Sequence, residues 1–210
     1  MSALLNYEAL AATPVADAPF CHIVVRDFLP PDARARVYAD FPPKARGGSF
    51  PPDVLKLGEH ARLLMAELEG PVLRGAIAEK FGLDLEGAPS MLTARVHTRA
   101  KDGQIHRDSD SKRVTALLYL NPDREEFAAQ AGCLRLLRSA SDLEDYAVEV
   151  PPTHGTFLVF PNAPHAWHGH KTYVGPRFSV QLNYMTADAR ARSELRRHRV
   201  SAFFKKAVLF

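Results

Sequence analysis

From Ser90 onward the chain breaks into short apolar or alternating runs: MLTARVHTRA, RVTALLYLN, GCLRLLR, YAVEVPP, GTFLVFPN and RFSVQLNYM, each set off from the next by turn residues. A single run of this kind buries only one face. A succession of them at this spacing predicts antiparallel strands closing into a barrel or sandwich. Upstream the pattern is different. PFCHIVVRDFL (Pro19 to Leu29) reads as a strand, and PPDARARVYADF (Pro30 to Phe41) as a helix with prolines at its start. Pro42 to Asp53 is rich in Pro and Gly and reads as a loop. Leu55 to Phe81 has helical periodicity, broken by Gly70-Pro71. After the strands, Thr186 is placed to cap a closing helix, ADARARSELRRHR. Helices come first and strands later, so the class is α+β with a double-layered antiparallel core. The expected organisation is one domain over 1–210: a helix-rich part at 1–89, a β core at 90–185 and a basic helical segment at 186–210.

The chain's 210 residues, 46% apolar and 24% charged, are enough for one substantial core. No apolar run is long enough to span a bilayer, and the N-terminus lacks the basic start and apolar block of a secretory signal. A cytoplasmic protein without a membrane partner is expected. Cys21 and Cys133 belong to no CxxC pair and read as two buried free thiols in a reducing compartment. Residues 186–210 carry seven Lys or Arg against Asp188 and Glu194. RARSELRRHRVSAFFKK, with Phe203 and Phe204 among its cations, is compatible with phosphate contacts and stacking. A solvated helix packing its Phe pair on the core explains the same residues with less, so nucleic acid is not expected as a partner. A homodimer contact through this segment is compatible with the sequence.

Chemistry concentrates in two stretches. GQIHRDSDSKRVTALLYLN places His106 two residues from Asp108, immediately before a strand. In an extended chain residues i and i+2 share a face, so an imidazole and a carboxylate can reach one point. Two His and one carboxylate form the facial triad of non-haem Fe(II), which leaves positions open. The second stretch, NAPHAWHGHKTYVGPRFSVQLNY, supplies His165, His168 and His170 as candidates for the remaining ligand. It also sets Arg177 and Ser179 on one face of a strand. An inward guanidinium in an apolar strand is costly unless it meets an anion, and its fork suits a carboxylate. Thr115 and Tyr119 share a face of the strand after Asp108 and are placed to line the same pocket.

Taken together, HRD, WHGH and RFS resemble the HxD…H…RxS pattern of 2-oxoglutarate and Fe(II)-dependent dioxygenases, and more narrowly their bacterial prolyl-hydroxylase-like branch. PFCHIVVRDFLPPDARARVYADFP, RVTALLYLNPD and AGCLRLL resemble other segments of that branch, over roughly residues 19 to 185. The resemblance implies a double-stranded β-helix, or jelly roll, with the N-terminal helices packed on one sheet. It implies Fe(II) on His106, Asp108 and His168, the last chosen because Arg177 stands nine residues further on. It implies 2-oxoglutarate with its far carboxylate on Arg177 and Ser179, O2 as oxidant and ascorbate as an optional reductant. The family often adds a residue from the strand before HxD. Arg95, His97 and Arg99 are the candidates here. Asp110 reads as a turn residue or substrate contact, and Trp167 as packing behind His168. The implied reaction hydroxylates a substrate C–H bond and releases succinate and CO2. A small metabolite or glycan is favoured over a protein residue. The competing expectation is a non-catalytic metal-binding jelly roll, a sensor or structural module.

Overall fold

The computed structural model of the chain describes residues 3–42 and 47–197. Its β core has two antiparallel sheets. The larger runs β1-β7-β4-β9-β3-β2 and the smaller β6-β5-β8. The strands are β1 (Ile23–Val25), β2 (Ser49–Phe50), β3 (Ser90–Thr98), β4 (Lys112–Tyr119), β5 (Leu134–Leu137), β6 (Tyr146–Val150), β7 (Phe157–Pro161), β8 (His168–His170) and β9 (Gly175–Met185).

Register decides which side chains face which layer. Across β3, β9 and β4, Arg95, Ser179 and Tyr119 form one row, and Met91, Asn183 and Thr115 another. Strand alternation sends their neighbours Ala94, Val180 and Leu118 to the opposite face. That opposite face joins Ile23, Val25 and Phe157 in a core with helical residues such as Val37, Leu64 and Ile77. The first face packs on the smaller sheet through Tyr119, Leu158 and Phe160 against Leu134, Leu136 and Val150. Each large apolar side chain buried in this way contributes about 1.5–3 kcal/mol. The larger sheet is therefore covered by helices on one side and by the smaller sheet on the other.

The helices are α1 (Tyr7–Ala12), α2 (Pro31–Ala39), α3 (Glu59–Glu69), α4 (Pro71–Phe81), α5 (Glu125–Ala128) and α6 (residues 189–197). Gly70 ends α3 and precedes Pro71 at the first position of α4, so the expected break falls where the sequence puts it. α6 lies within the expected closing helix, but its cap is Asp188 rather than Thr186. The Asp188 carboxylate accepts from the Ala191 amide at 2.8 Å, and the Thr186 hydroxyl donates to Asp188 at 2.7 Å. The remainder of the basic segment, including Phe203 and Phe204, lies outside the described residues.

Three further expectations change. The strand expected over Pro19 to Leu29 shortens to Ile23–Val25, because Asp27 adopts a positive φ of 49° and turns the chain. The Pro/Gly-rich loop contains an edge strand, β2, paired with Ala94 and Arg95 of β3. Of the two free cysteines Cys133 is buried, as expected, but Cys21 is exposed. Among the described residues no helix is long and apolar enough to cross a membrane.

Candidate active site

β8 pairs with β5 on one side, Leu136 lying opposite His168. On its other side the segment carrying His106 runs antiparallel to it, through an isolated bridge between His106 and His168. Directly opposed residues project to the same face, and the two imidazole centroids lie 4.3 Å apart. Asp108 follows two residues later. One ligand atom from each of His106, Asp108 and His168 lies within 4.8 Å of the others.

The tautomers suit metal binding. Nδ1 of His106 lies 2.8 Å from the Gln104 carbonyl, and Nδ1 of His168 lies 3.0 Å from the Ala166 carbonyl. A carbonyl only accepts, so each ring donates from Nδ1 and keeps its Nε2 lone pair free. Burial, and then the neighbouring His106, pull the His168 pKa down to about 4, so its ring is neutral at neutral pH. The ring packed edge-on against His168 is Phe160, at 5.1 Å between centroids, in place of the expected Trp167.

Burial pushes the Asp108 carboxyl up, but Lys112, His168 and Thr115 together hold it below its ordinary range. Lys112 donates to one carboxylate oxygen at 2.5 Å and the Thr115 hydroxyl to the other at 2.5 Å. Thr115 therefore stands behind the carboxylate as well as lining the cavity. Its oxygen also lies 2.9 Å from the Asn183 side chain.

The cluster opens into a cavity of about 310 Å³ whose lining includes Thr115, Tyr119, Arg177 and Ser179. Arg177 is 4% exposed and donates from Nε to the Gly132 carbonyl at 2.8 Å. Its Nη2 is buried with no hydrogen-bond partner, and so is the Tyr119 hydroxyl. The guanidinium carbon lies 5.2 Å from the centre of the Tyr119 ring. Burial lowers the Arg177 pKa and raises that of Tyr119. The guanidinium and the Tyr119 hydroxyl interact with each other, but neither Nη2 nor that hydroxyl has an acceptor at good hydrogen-bonding geometry, and an anion in this cavity would supply one for both.

Of the other candidates, Arg95 lines the cavity but is engaged by Asp102 at 2.7 Å and Ser49 at 3.0 Å. Arg99 also pairs with Asp102, and neither it nor His97 is in the cavity lining. His170 is a buried strand residue and lines the cavity. His170 packs close to Gly103, whose φ of +93° and proximity to the ring leave no room for a side chain. His165 is exposed, and exposed Asp110 pairs with Arg107 at 2.6 Å. Sequence reasoning missed Lys112. Its position four residues after Asp108 was the available signal.

Residues 93–185 match the family model of the 2OG-Fe(II) oxygenase superfamily. No curated protein sequence matches the chain significantly. A prolyl-4-hydroxylase from Pseudomonas putida superposes with a TM-score of 0.57 at 20% identity, covering 86% of this chain and 91% of that one. A prolyl 4-hydroxylase structure from Phytophthora capsici gives 0.58 at 15% identity, covering 91% of this chain and 69% of that one. At these identities the likeness is one of fold. The matched segment contains every residue of the His-Asp-His cluster together with Arg177 and Ser179, and over that segment the chain is similar to the 2-oxoglutarate and Fe(II)-dependent oxygenase superfamily.

Proposed function

We propose that the protein is a 2-oxoglutarate-dependent dioxygenase, a hydroxylase in which His106, Asp108 and His168 hold Fe(II) and Arg177, with Ser179 and Tyr119, seats the far carboxylate of 2-oxoglutarate. The observation that carries the reading is the adjacency of a three-ligand cluster and a buried guanidinium with an unpartnered nitrogen. In this reading the two sheets form a double-stranded β-helix, and residues 1–210 are one catalytic unit.

When bound, the iron and 2-oxoglutarate supply the oxidative chemistry: O2 is consumed, 2-oxoglutarate becomes succinate and CO2, and one oxygen atom enters a substrate C–H bond. The chain's own residues do the rest. His106 and His168 present neutral Nε2 donors, each oriented by a carbonyl. Asp108 brings the negative charge, steadied by Thr115 and Lys112. Arg177, itself buried, neutralises the distal carboxylate where solvent screening is weak. The cavity of about 310 Å³ is taken up in this reading by the metal and co-substrate, and a small metabolite or a glycan unit is the substrate class we favour on the sequence reading. A non-catalytic zinc module is the weaker reading, since structural zinc closes four positions and this cluster, among the described residues, offers three ligands.

The test is turnover of 2-oxoglutarate to succinate with Fe(II) and ascorbate, coupled to a search for acceptors that gain one oxygen. Prolyl peptides belong in that screen beside metabolites and glycans, because fold relatives are prolyl hydroxylases. Succinate formation that disappears in Arg177→Ala supports the reading. Metal binding without any 2-oxoglutarate binding or turnover would favour the non-catalytic module.

A further inference from the structure

We propose that Glu194 is a positioning residue for the metal site: from the C-terminal helix it holds the Ser109–Ser111 turn and thereby fixes where Asp108 points. The inference rests on the metal-site reading above.

The contacts form a continuous chain. α6 is seated on the core by Ala191, which is 0% exposed. One turn further on, the Glu194 carboxylate accepts from the Ser111 hydroxyl at 2.6 Å, and the Ser109 hydroxyl oxygen lies 3.3 Å from the same carboxylate oxygen. The two hydroxyls are 2.5 Å apart, and Ser111 is 1% exposed. Each serine has a single proton. A relay from Ser109 to Ser111 to Glu194 uses both, and each bond polarises the next. The main chain of the same turn is also tied. The Ser109 carbonyl accepts from the Lys112 amide at 2.9 Å and from the Asn162 side chain at 3.0 Å, and the Ser111 carbonyl accepts from the Thr186 amide at 2.7 Å.

This turn lies between Asp108 and Lys112, the two members of the ion pair at the metal cluster. The turn precedes β4 and contributes no side chain to the apolar packing between the layers. Glu194 spans 83 residues of sequence to reach it. With the carboxylate removed, the Ser111 hydroxyl loses its acceptor and the relay its end point, and the turn that aims Asp108 is loosened while its main-chain bonds and the sheets remain. Partners of this kind, one step removed from a ligand, typically change metal affinity by about ten- to a hundredfold.

The experiment uses the full chain and Co(II) as probe, reading affinity and the visible spectrum, with thermal unfolding alongside. Glu194→Ala is expected to weaken Co(II) binding by about tenfold and to alter the spectrum. Glu194→Gln, which keeps an acceptor oxygen, should restore most of the affinity. Ser111→Ala should reproduce the loss, and it carries the test if Glu194→Ala does not fold. Wild-type affinity and spectrum in Glu194→Ala, even with a lowered unfolding temperature, would overturn the inference and leave Glu194 a purely structural residue. Wild-type protein that binds Co(II) no better than Asp108→Ala would instead overturn the metal-site reading itself.

Discussion

His106 and His168 are joined by a reciprocal pair of main-chain hydrogen bonds, each amide donating to the other's carbonyl at 2.9 Å. This one register sets both imidazoles on the same side of the smaller sheet's edge. It does so for residues 62 positions apart, with no contact between their side chains needed to bring it about. The proposed metal-binding pair is thereby a consequence of strand pairing.

The first prediction separates the carboxylate's support from the co-substrate pocket. Thr115→Val keeps the side chain's shape in the buried row but removes the hydroxyl that donates to Asp108. Metal affinity should fall by about tenfold. The dissociation constant for 2-oxoglutarate, measured by calorimetry at saturating metal, should stay close to that of wild type. A change in 2-oxoglutarate affinity alone would return Thr115 to a co-substrate role.

A second prediction concerns the buried guanidinium. Arg177→Met removes a charge that lacks a partner for Nη2 and fills much the same volume with an apolar chain. Without 2-oxoglutarate the variant should be as stable as wild type or more stable, by on the order of 1–3 kcal/mol. Its 2-oxoglutarate affinity should fall by about a hundredfold, in keeping with charge-assisted bonds worth about 1.5–3 kcal/mol. Thermal unfolding with and without 2-oxoglutarate reads both effects.

How much of this was legible in the sequence differs from residue to residue. His106 and Asp108 could be paired from spacing, because an i, i+2 relation survives in any extended segment. Residue types alone left His165, His168 and His170 open, and the spacing to Arg177 that the resemblance supplies favoured His168. In the fold His168 lies opposite His106, whereas His170 lies opposite Leu134 and bonds to Gly103. The alternating strands from Ser90 on were legible because their two faces are buried against different layers. β2 was not, since a two-residue edge strand inside a Pro/Gly loop has no periodicity. Nor were Phe160 behind His168 or Glu194 on the metal-ligand turn. Contacts between distant segments leave no local pattern when a single side chain makes them.

The third prediction is a pH dependence of the metal-free protein. His168 and His170 both have folded-state pKa values pulled from 6.5 to about 4, chiefly by burial. Unfolding therefore takes up protons between about pH 6.5 and pH 4. The stability linked to the neutral rings is fully present above that window and is lost as pH falls through it. Each ring is worth on the order of a few kcal/mol, since each tenfold change in proton affinity corresponds to about 1.4 kcal/mol. The unfolding temperature of metal-free protein should drop on acidification across this range, and His170→Gln should flatten part of the slope. An unfolding temperature that stays level from pH 7 to pH 4 would contradict the burial of neutral rings.

The most direct measurement is an anaerobic titration with Fe(II) followed by 2-oxoglutarate, monitored by visible absorption. Wild-type protein should bind one Fe(II) per chain and develop a charge-transfer band when 2-oxoglutarate is added. Arg177→Met should keep the iron and need far more 2-oxoglutarate to give the band, and His168→Ala should give neither. Wild-type protein that takes up no iron, or a His168→Ala variant that binds iron and 2-oxoglutarate as wild type does, would contradict the account.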